Sequence, residues 1–122
     1  MTLSSRIVII DDERSVRSGL SNLLQSEGYE TDAFESAEAF LANETALADA
    51  SLLIVDIRLK GMSGLELYRR VTQRAALPII LISGHEEESL PGYVQDIGPV
   101  ILLRKPINID TLLDHIRRQL YA

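Results

Sequence analysis

Four stretches of the chain run apolar position after position. Arg6-Ile7-Val8-Ile9-Ile10 leads into Asp11-Asp12, and Ser51-Leu52-Leu53-Ile54-Val55 leads into Asp56. Leu77-Pro78-Ile79-Ile80-Leu81-Ile82 leads into Ser83, and Pro99-Val100-Ile101-Leu102-Leu103 into Arg104-Lys105. Each is strand-sized and rich in β-branched residues. Continuous rather than alternating apolar positions mark strands covered on both faces. A fifth stretch, residues 29–34, alternates more and belongs nearer an edge of the sheet.

Between these stretches the apolar period becomes helical. Val16, Leu20, Leu23 and Leu24 make a stripe, with Gly28 at the stop position. Ser36 can cap a helix through Ala37, Phe40 and Leu41. Leu65, Leu67, Tyr68 and Val71 mark a third helix after the turn Gly61-Met62-Ser63-Gly64. Asn108 can cap the last, which carries Ile109, Leu112, Leu113, Ile116 and Leu120. Asp110 in its first turn and Arg117 and Arg118 near its end suit the macrodipole. After Ser83 the pattern breaks: Pro91 and Gly92 fall where a helix belongs, so a short, labile one is expected from about Leu90 to Ile97. Five alternations of strand and helix predict an α/β fold, a doubly wound five-stranded parallel sheet in the order 2-1-3-4-5.

Composition adds bounds. The 122 residues suit one domain, 1–122, with 46% hydrophobic and 25% charged positions. There is no cysteine, so disulfides and thiolate metal sites are excluded. The net charge of −6 offers no cationic excess for a bare nucleic-acid binder. The first residues lack a signal-peptide pattern, and the apolar runs are too short to cross a bilayer, so a cytoplasmic protein away from membranes is expected.

The chemistry stands at the predicted strand ends. Asp11 and Asp12 follow the first strand, Asp56 the third, Ser83 the fourth and Lys105 the fifth. In a sheet of this order those ends share one rim, where ligands bind. Each residue alone reads plainly as a cap, a turn or a surface charge; their joint placement carries the argument. Carboxylates ~4 Å apart repel by about 4 kcal/mol at an effective dielectric of ~20, so the group needs a cation. All-oxygen ligands select a hard ion such as Mg²⁺. With Lys105 and Ser83 as further donors, the set suits phosphoryl transfer, and the central Asp56 is the natural acceptor.

Ile10-Asp11-Asp12-Glu13, Val55-Asp56-Ile57-Arg58-Leu59, Gly61-Met62-Ser63-Gly64-Leu65-Glu66-Leu67, Ser83-Gly84-His85 and Lys105-Pro106 stand in that order. Together they resemble the receiver domains of bacterial two-component response regulators, over nearly the whole chain. The resemblance implies a flavodoxin-like, CheY-like three-layer (βα)5 sandwich and a phosphorelay switch rather than an enzyme with an external substrate. Asp56 would take a phosphoryl group from a sensor histidine kinase or phosphotransfer protein. Asp12, Asp56 and the main-chain carbonyl of Arg58 would hold Mg²⁺, with Asp11 acting through a water. Lys105, Ser83 and Gly84 would meet the phosphoryl group, and the Lys105–Pro106 bond would be cis. Arg58 and His85 would flank the site and tune dephosphorylation. The phosphorylated state would alter binding to a downstream effector the sequence does not identify, with homodimerisation on phosphorylation left open.

Three positions depart from the family pattern. Leu102 stands where many receivers place an aromatic switch residue three positions before the lysine. Lys60 replaces a proline that often precedes the Gly61-Met62 turn, which should loosen that loop, and Pro91-Gly92 fall in the fourth helix. They keep a second class open, a pseudo-receiver that switches without phosphate. A Mg²⁺-dependent phosphohydrolase of the haloacid-dehalogenase type would need Asp-x-Asp after the first strand and a cap domain; the sequence offers neither.

Overall fold

The four apolar runs become strands in the computed structural model, which describes residues 5–84 and 101–121. They are β1 Arg6–Ile10, β3 Leu52–Asp56, β4 Ile79–Ser83 and β5 Ile101–Arg104, joined by the alternating stretch as β2 Glu30–Phe34. All neighbours pair in parallel, in the order β2-β1-β3-β4-β5. Every residue of β3 and β4 is buried, whereas β2, at an edge, buries none fully. Continuous and alternating patterns thus correspond to central and edge places in the sheet.

Five helices are described: α1 Arg14–Ser26, α2 Ala37–Leu41, α3 Glu44–Asp49, α4 Gly64–Arg74 and α5 Ile109–Tyr121. Successive strand residues point to opposite faces, so the sheet feeds two cores. Val8, Ile10, Leu53, Val55 and Leu81 pack with Phe40, Ala46, Leu67 and Val71 of α2, α3 and α4. Ile7, Ile9, Leu52, Ile54 and Ile80 pack with Leu20, Leu24, Leu112 and Ile116 of α1 and α5. The expected three-layer sandwich is present.

The caps explain where the helices start. Ser36 Oγ accepts from Ala39 N at 3.0 Å, Ser63 Oγ from Glu66 N at 3.1 Å, and Asn108 Oδ1 from Thr111 N at 2.9 Å. Gly28, at φ 93°, lies just beyond α1. The helix expected after Ser36 forms as α2, and a second short one, α3, follows that the sequence reading did not anticipate. Asn43 interrupts them and caps α3, accepting from Ala46 N at 3.1 Å. The expected helix near residues 90–97, with Pro91 and Gly92, lies outside the described residues, as do Pro99 and Val100 at the start of the fourth apolar run. Chain connections leave β1 and β3 toward opposite faces, which opens a crevice at the carboxyl ends of the strands.

Candidate functional site

Asp11 follows β1, and its amide still donates to Phe34 O at 3.2 Å, so the sheet holds it at 2% exposure. Asp56 ends β3 at 5% exposure, and Ser83 ends β4 at 1%. Lys105 lies one residue past β5, with its amide donating to Ser83 O at 2.8 Å. Its peptide bond to Pro106 is cis. The Lys105 ammonium crosses the strand ends to Asp56 Oδ2 at 3.1 Å, Glu13 Oε1 at 3.2 Å and Asp11 Oδ2 at 3.4 Å.

Backbone amides orient the two buried acids. Glu13 N donates to Asp11 Oδ1 at 2.8 Å, and Arg58 N donates to Asp56 Oδ1 at 3.0 Å. Arg17 Nη1 donates to Asp11 O at 2.8 Å, tying α1 to the end of β1. Asp11 Oδ2 is buried without a hydrogen bond, although the Lys105 charge is close. Burial pushes the Asp11 carboxyl above the usual carboxylate range; the Glu13 amide opposes this and the Asp56 charge adds to it. For Lys105, partial burial alone would lower the ammonium. The Asp56 hydrogen bond and the Asp11 and Asp56 charges outweigh burial and hold it above the usual lysine value.

Asp11, Asp12, Glu13 and Asp56 each offer a carboxylate oxygen within 4.8 Å of the others. One lysine cannot neutralise four carboxylates. The donors are all oxygen, and a buried carboxylate oxygen lacks a hydrogen bond, so the residues fit a hard divalent cation. Asp12, Glu13, Asp56, Arg58, Gly84 and Lys105 line a cleft of about 340 Å³. Beside it lies a mostly apolar groove of about 360 Å³ between α1 and the β5–α5 loop, lined by Val16, Leu20, Leu23, Pro106 and Ile107 and reaching Lys105.

The loop after Asp56 is fastened at three points. Arg58 N meets the Asp56 carboxylate, Gly64 N donates to Ile57 O at 2.9 Å, and Met62 N donates to Glu38 Oε2 at 2.9 Å. Glu38 therefore braces from α2 the loop that Lys60 was expected to loosen. The Met62 amide, through this hydrogen bond, holds the Glu38 carboxyl below the usual glutamate range. A lowered acid pKa means the brace is present above the unfolded value and is lost as pH falls through the folded one. The Met62 amide resonance is expected to titrate with Glu38, with a midpoint below that of an ordinary glutamate, and Glu38→Gln should abolish the titration. A midpoint at the ordinary value would mean that the brace does not form in solution.

The structure brings together Asp11, Asp12, Asp56, Gly84 and Lys105, with Ser83 at the neighbouring strand end. Arg58 contributes its amide, and its exposed side chain borders the cleft. Leu102 is half-buried against the core beneath α2, α3 and α4. His85 lies outside the described residues. Sequence reasoning missed Glu13 as a partner of Lys105, although it stood in the quoted acidic run. It also missed Glu38, whose contact spans 24 positions, and the role of Gly64. A Cβ on Gly64 would strike Asp56 O, so Gly64 is where α4 meets the backbone of β3.

A family model for the response regulator receiver domain matches residues 7–117. The chain belongs to that family. Receivers are signalling switches of two-component systems, worked by phosphorylation. This receiver is 34% identical to the transcriptional regulatory protein FixJ of Bradyrhizobium diazoefficiens over 113 residues, covering 92% of the chain and 55% of FixJ. Among solved structures it resembles the response regulator StyR, with a TM-score of 0.87 at 34% identity, over 97% of this chain and 60% of that one. It also resembles the response regulator protein TrrA of Thermotoga maritima, solved in complex with Mg(2+)-BeF, with a TM-score of 0.78 at 30% identity. That match covers 95% of this chain and 99% of TrrA. The receiver spans about half the length of FixJ and other regulators it matches. None of its described helices is long and apolar enough to cross a membrane.

Proposed function

We propose that this chain is a single receiver domain whose Asp56 accepts a phosphoryl group from the phosphohistidine of a sensor kinase or phosphotransfer protein. The observation that carries this reading is the Lys105–Asp56 contact of 3.1 Å within a cluster of four carboxylates. An Asp56 carboxylate oxygen forms the bond to phosphorus. The bond from phosphorus to the donor's imidazole nitrogen breaks, and its electron pair leaves with the imidazole. Asp12, Asp56 and the Arg58 carbonyl, with Asp11 through a water, would hold a Mg²⁺, which when bound would offset charge on the phosphoryl oxygens. Lys105 supplies a further cation there, and the Ser83 hydroxyl and Gly84 supply donors at the rim. Arg58, whose side chain borders the cleft, tunes the lifetime of the acylphosphate against water, and His85, two positions after Ser83 in the sequence, is assigned the same role on the family resemblance alone.

Because Leu102 is a half-buried core residue, the switch runs without an aromatic rotamer change. The phosphorylated state alters affinity for an effector in the cytoplasm, where homodimerisation is one output.

The test is intact mass after incubation with Mg²⁺ and acetyl phosphate. One added phosphoryl group that requires Mg²⁺ supports the reading. A folded, Mg²⁺-binding protein that takes no label overturns it and favours the pseudo-receiver.

A protein donor must place its phosphohistidine at the cleft, and among the described residues the α1 groove is an apolar surface contiguous with it. Leu23→Glu is expected to slow phosphotransfer from a kinase by about tenfold while labelling by acetyl phosphate persists. Equal loss with both donors would remove the groove from donor docking.

A further inference from the structure

We propose that Glu13 is a positioning residue that occupies, on Lys105, the place the phosphoryl group takes when Asp56 is phosphorylated. The inference rests on the reading of Asp56 as the acceptor.

An ammonium has three N–H donors. Here three carboxylates surround it: Asp56 at 3.1 Å, Glu13 at 3.2 Å and Asp11 at 3.4 Å. A phosphoryl group that is to reach Lys105 while Asp56 is still a free carboxylate must displace one of them. Asp11 and Asp56 are almost wholly buried, and a buried carboxylate deprived of its cation has no water to replace it. The Glu13 side chain is 59% exposed, so water rehydrates it on release. Of the three contacts, Glu13 is the one that costs least to give up.

The local backbone points the same way. Glu13 sits at the N-cap of α1, where a side chain commonly accepts from the helix, yet it makes no capping hydrogen bond. Its main chain is fixed on both sides, with the amide on Asp11 Oδ1 at 2.8 Å and the carbonyl accepting from Arg17 N at 3.1 Å. A rigid backbone thus carries a mobile-length carboxylate to the mouth of the cleft, directed at Lys105 rather than at its own helix. In the unphosphorylated protein it occupies the solvent side of the ammonium and adds a negative charge where an anionic donor enters. Phosphorylation exchanges one anion for another on the same ammonium.

The experiment compares wild type with Glu13→Gln and Glu13→Asp. Gln removes the charge; Asp keeps it on a side chain one methylene shorter, which cannot hold Lys105 from the same backbone. Two readouts are taken: the acetyl phosphate concentration for half-maximal labelling rate, and the Lys105 ammonium signal by NMR in Mg²⁺-free protein. Both variants are expected to lower the half-maximal concentration by about three- to fivefold, the scale of an exposed ion pair. Both should shift the ammonium signal and speed its exchange with water. If Asp behaves as wild type while Gln does not, the effect is one of general charge and the place-holder role is overturned. An unchanged ammonium signal in both variants overturns it too. So does a tenfold loss of Mg²⁺ affinity by calorimetry in Glu13→Gln with slower labelling, which would make Glu13 a metal ligand. A wild type that takes no label overturns the acceptor reading and the place-holder role with it, while the ammonium signal still reports whether Glu13 grips Lys105.

Discussion

Asp56→Asn protein is expected to gain no phosphoryl group from acetyl phosphate and Mg²⁺, under conditions that label the wild type fully. The amide nitrogen and oxygen of asparagine do not replace a carboxylate as nucleophile toward phosphorus, because the lone pair needed is delocalised and the negative charge is gone. The substitution is otherwise mild. It keeps the shape of the side chain and an oxygen able to accept from Arg58 N, the contact that orients Asp56 in the wild type at 3.0 Å. Lys105 keeps Asp11 and Glu13 within 3.4 Å. Loss of the Asp56 charge also removes one of the effects that push the Asp11 carboxyl upward. Circular dichroism and thermal melting should therefore report a folded protein. Full labelling of Asp56→Asn at another residue would sink the assignment, and an unfolded variant would be replaced by Asp56→Glu, whose longer side chain should slow labelling severely without altering the charge.

How well the sequence could be read depended on the range of the interaction. Strands β1, β3 and β4 were legible because a central parallel strand is covered on both faces, so Ile, Leu and Val can fill successive positions. Asp11, Asp56, Ser83 and Lys105 were legible for a related reason: chemistry placed at the ends of such strands converges once the strand order is known. The break between α2 and α3 was not. Asn43 there is an ordinary polar residue until its side chain is seen to cap α3. Glu13 and Glu38 were illegible as partners because their contacts join distant segments: Glu13 meets Lys105 92 positions away. Lys60 was read through its local effect on the chain alone. The brace that offsets it comes from another helix.

The same distinction governs the glycines, and it sets the second large expectation. Gly64→Ala should destabilise the fold by about 1–3 kcal/mol, at the upper part of that range, and slow the labelling of Asp56. The alanine Cβ would collide with Asp56 O and lie 2.8 Å from Asp56 C and 2.9 Å from Ile57 Cα. All three atoms are backbone, at the end of a fully buried strand, so no side chain can rotate out of the way. Relief requires α4 to lift or the end of β3 to move. Either strains the Gly64 N to Ile57 O bond and shifts the Asp56 carboxylate, the proposed nucleophile. Gly19→Ala is the control: Gly19 lies inside α1, and a Cβ there meets nothing within 4 Å. Its substitution should stabilise the protein by about 0.5–1 kcal/mol, as alanine replaces glycine in a helix interior. Urea denaturation followed by circular dichroism reads both. If Gly64→Ala matched the wild type in stability and labelling rate, α4 would not need to approach the Asp56 backbone so closely, and the geometry that fixes the acceptor would have to come from the Arg58 amide and the sheet alone.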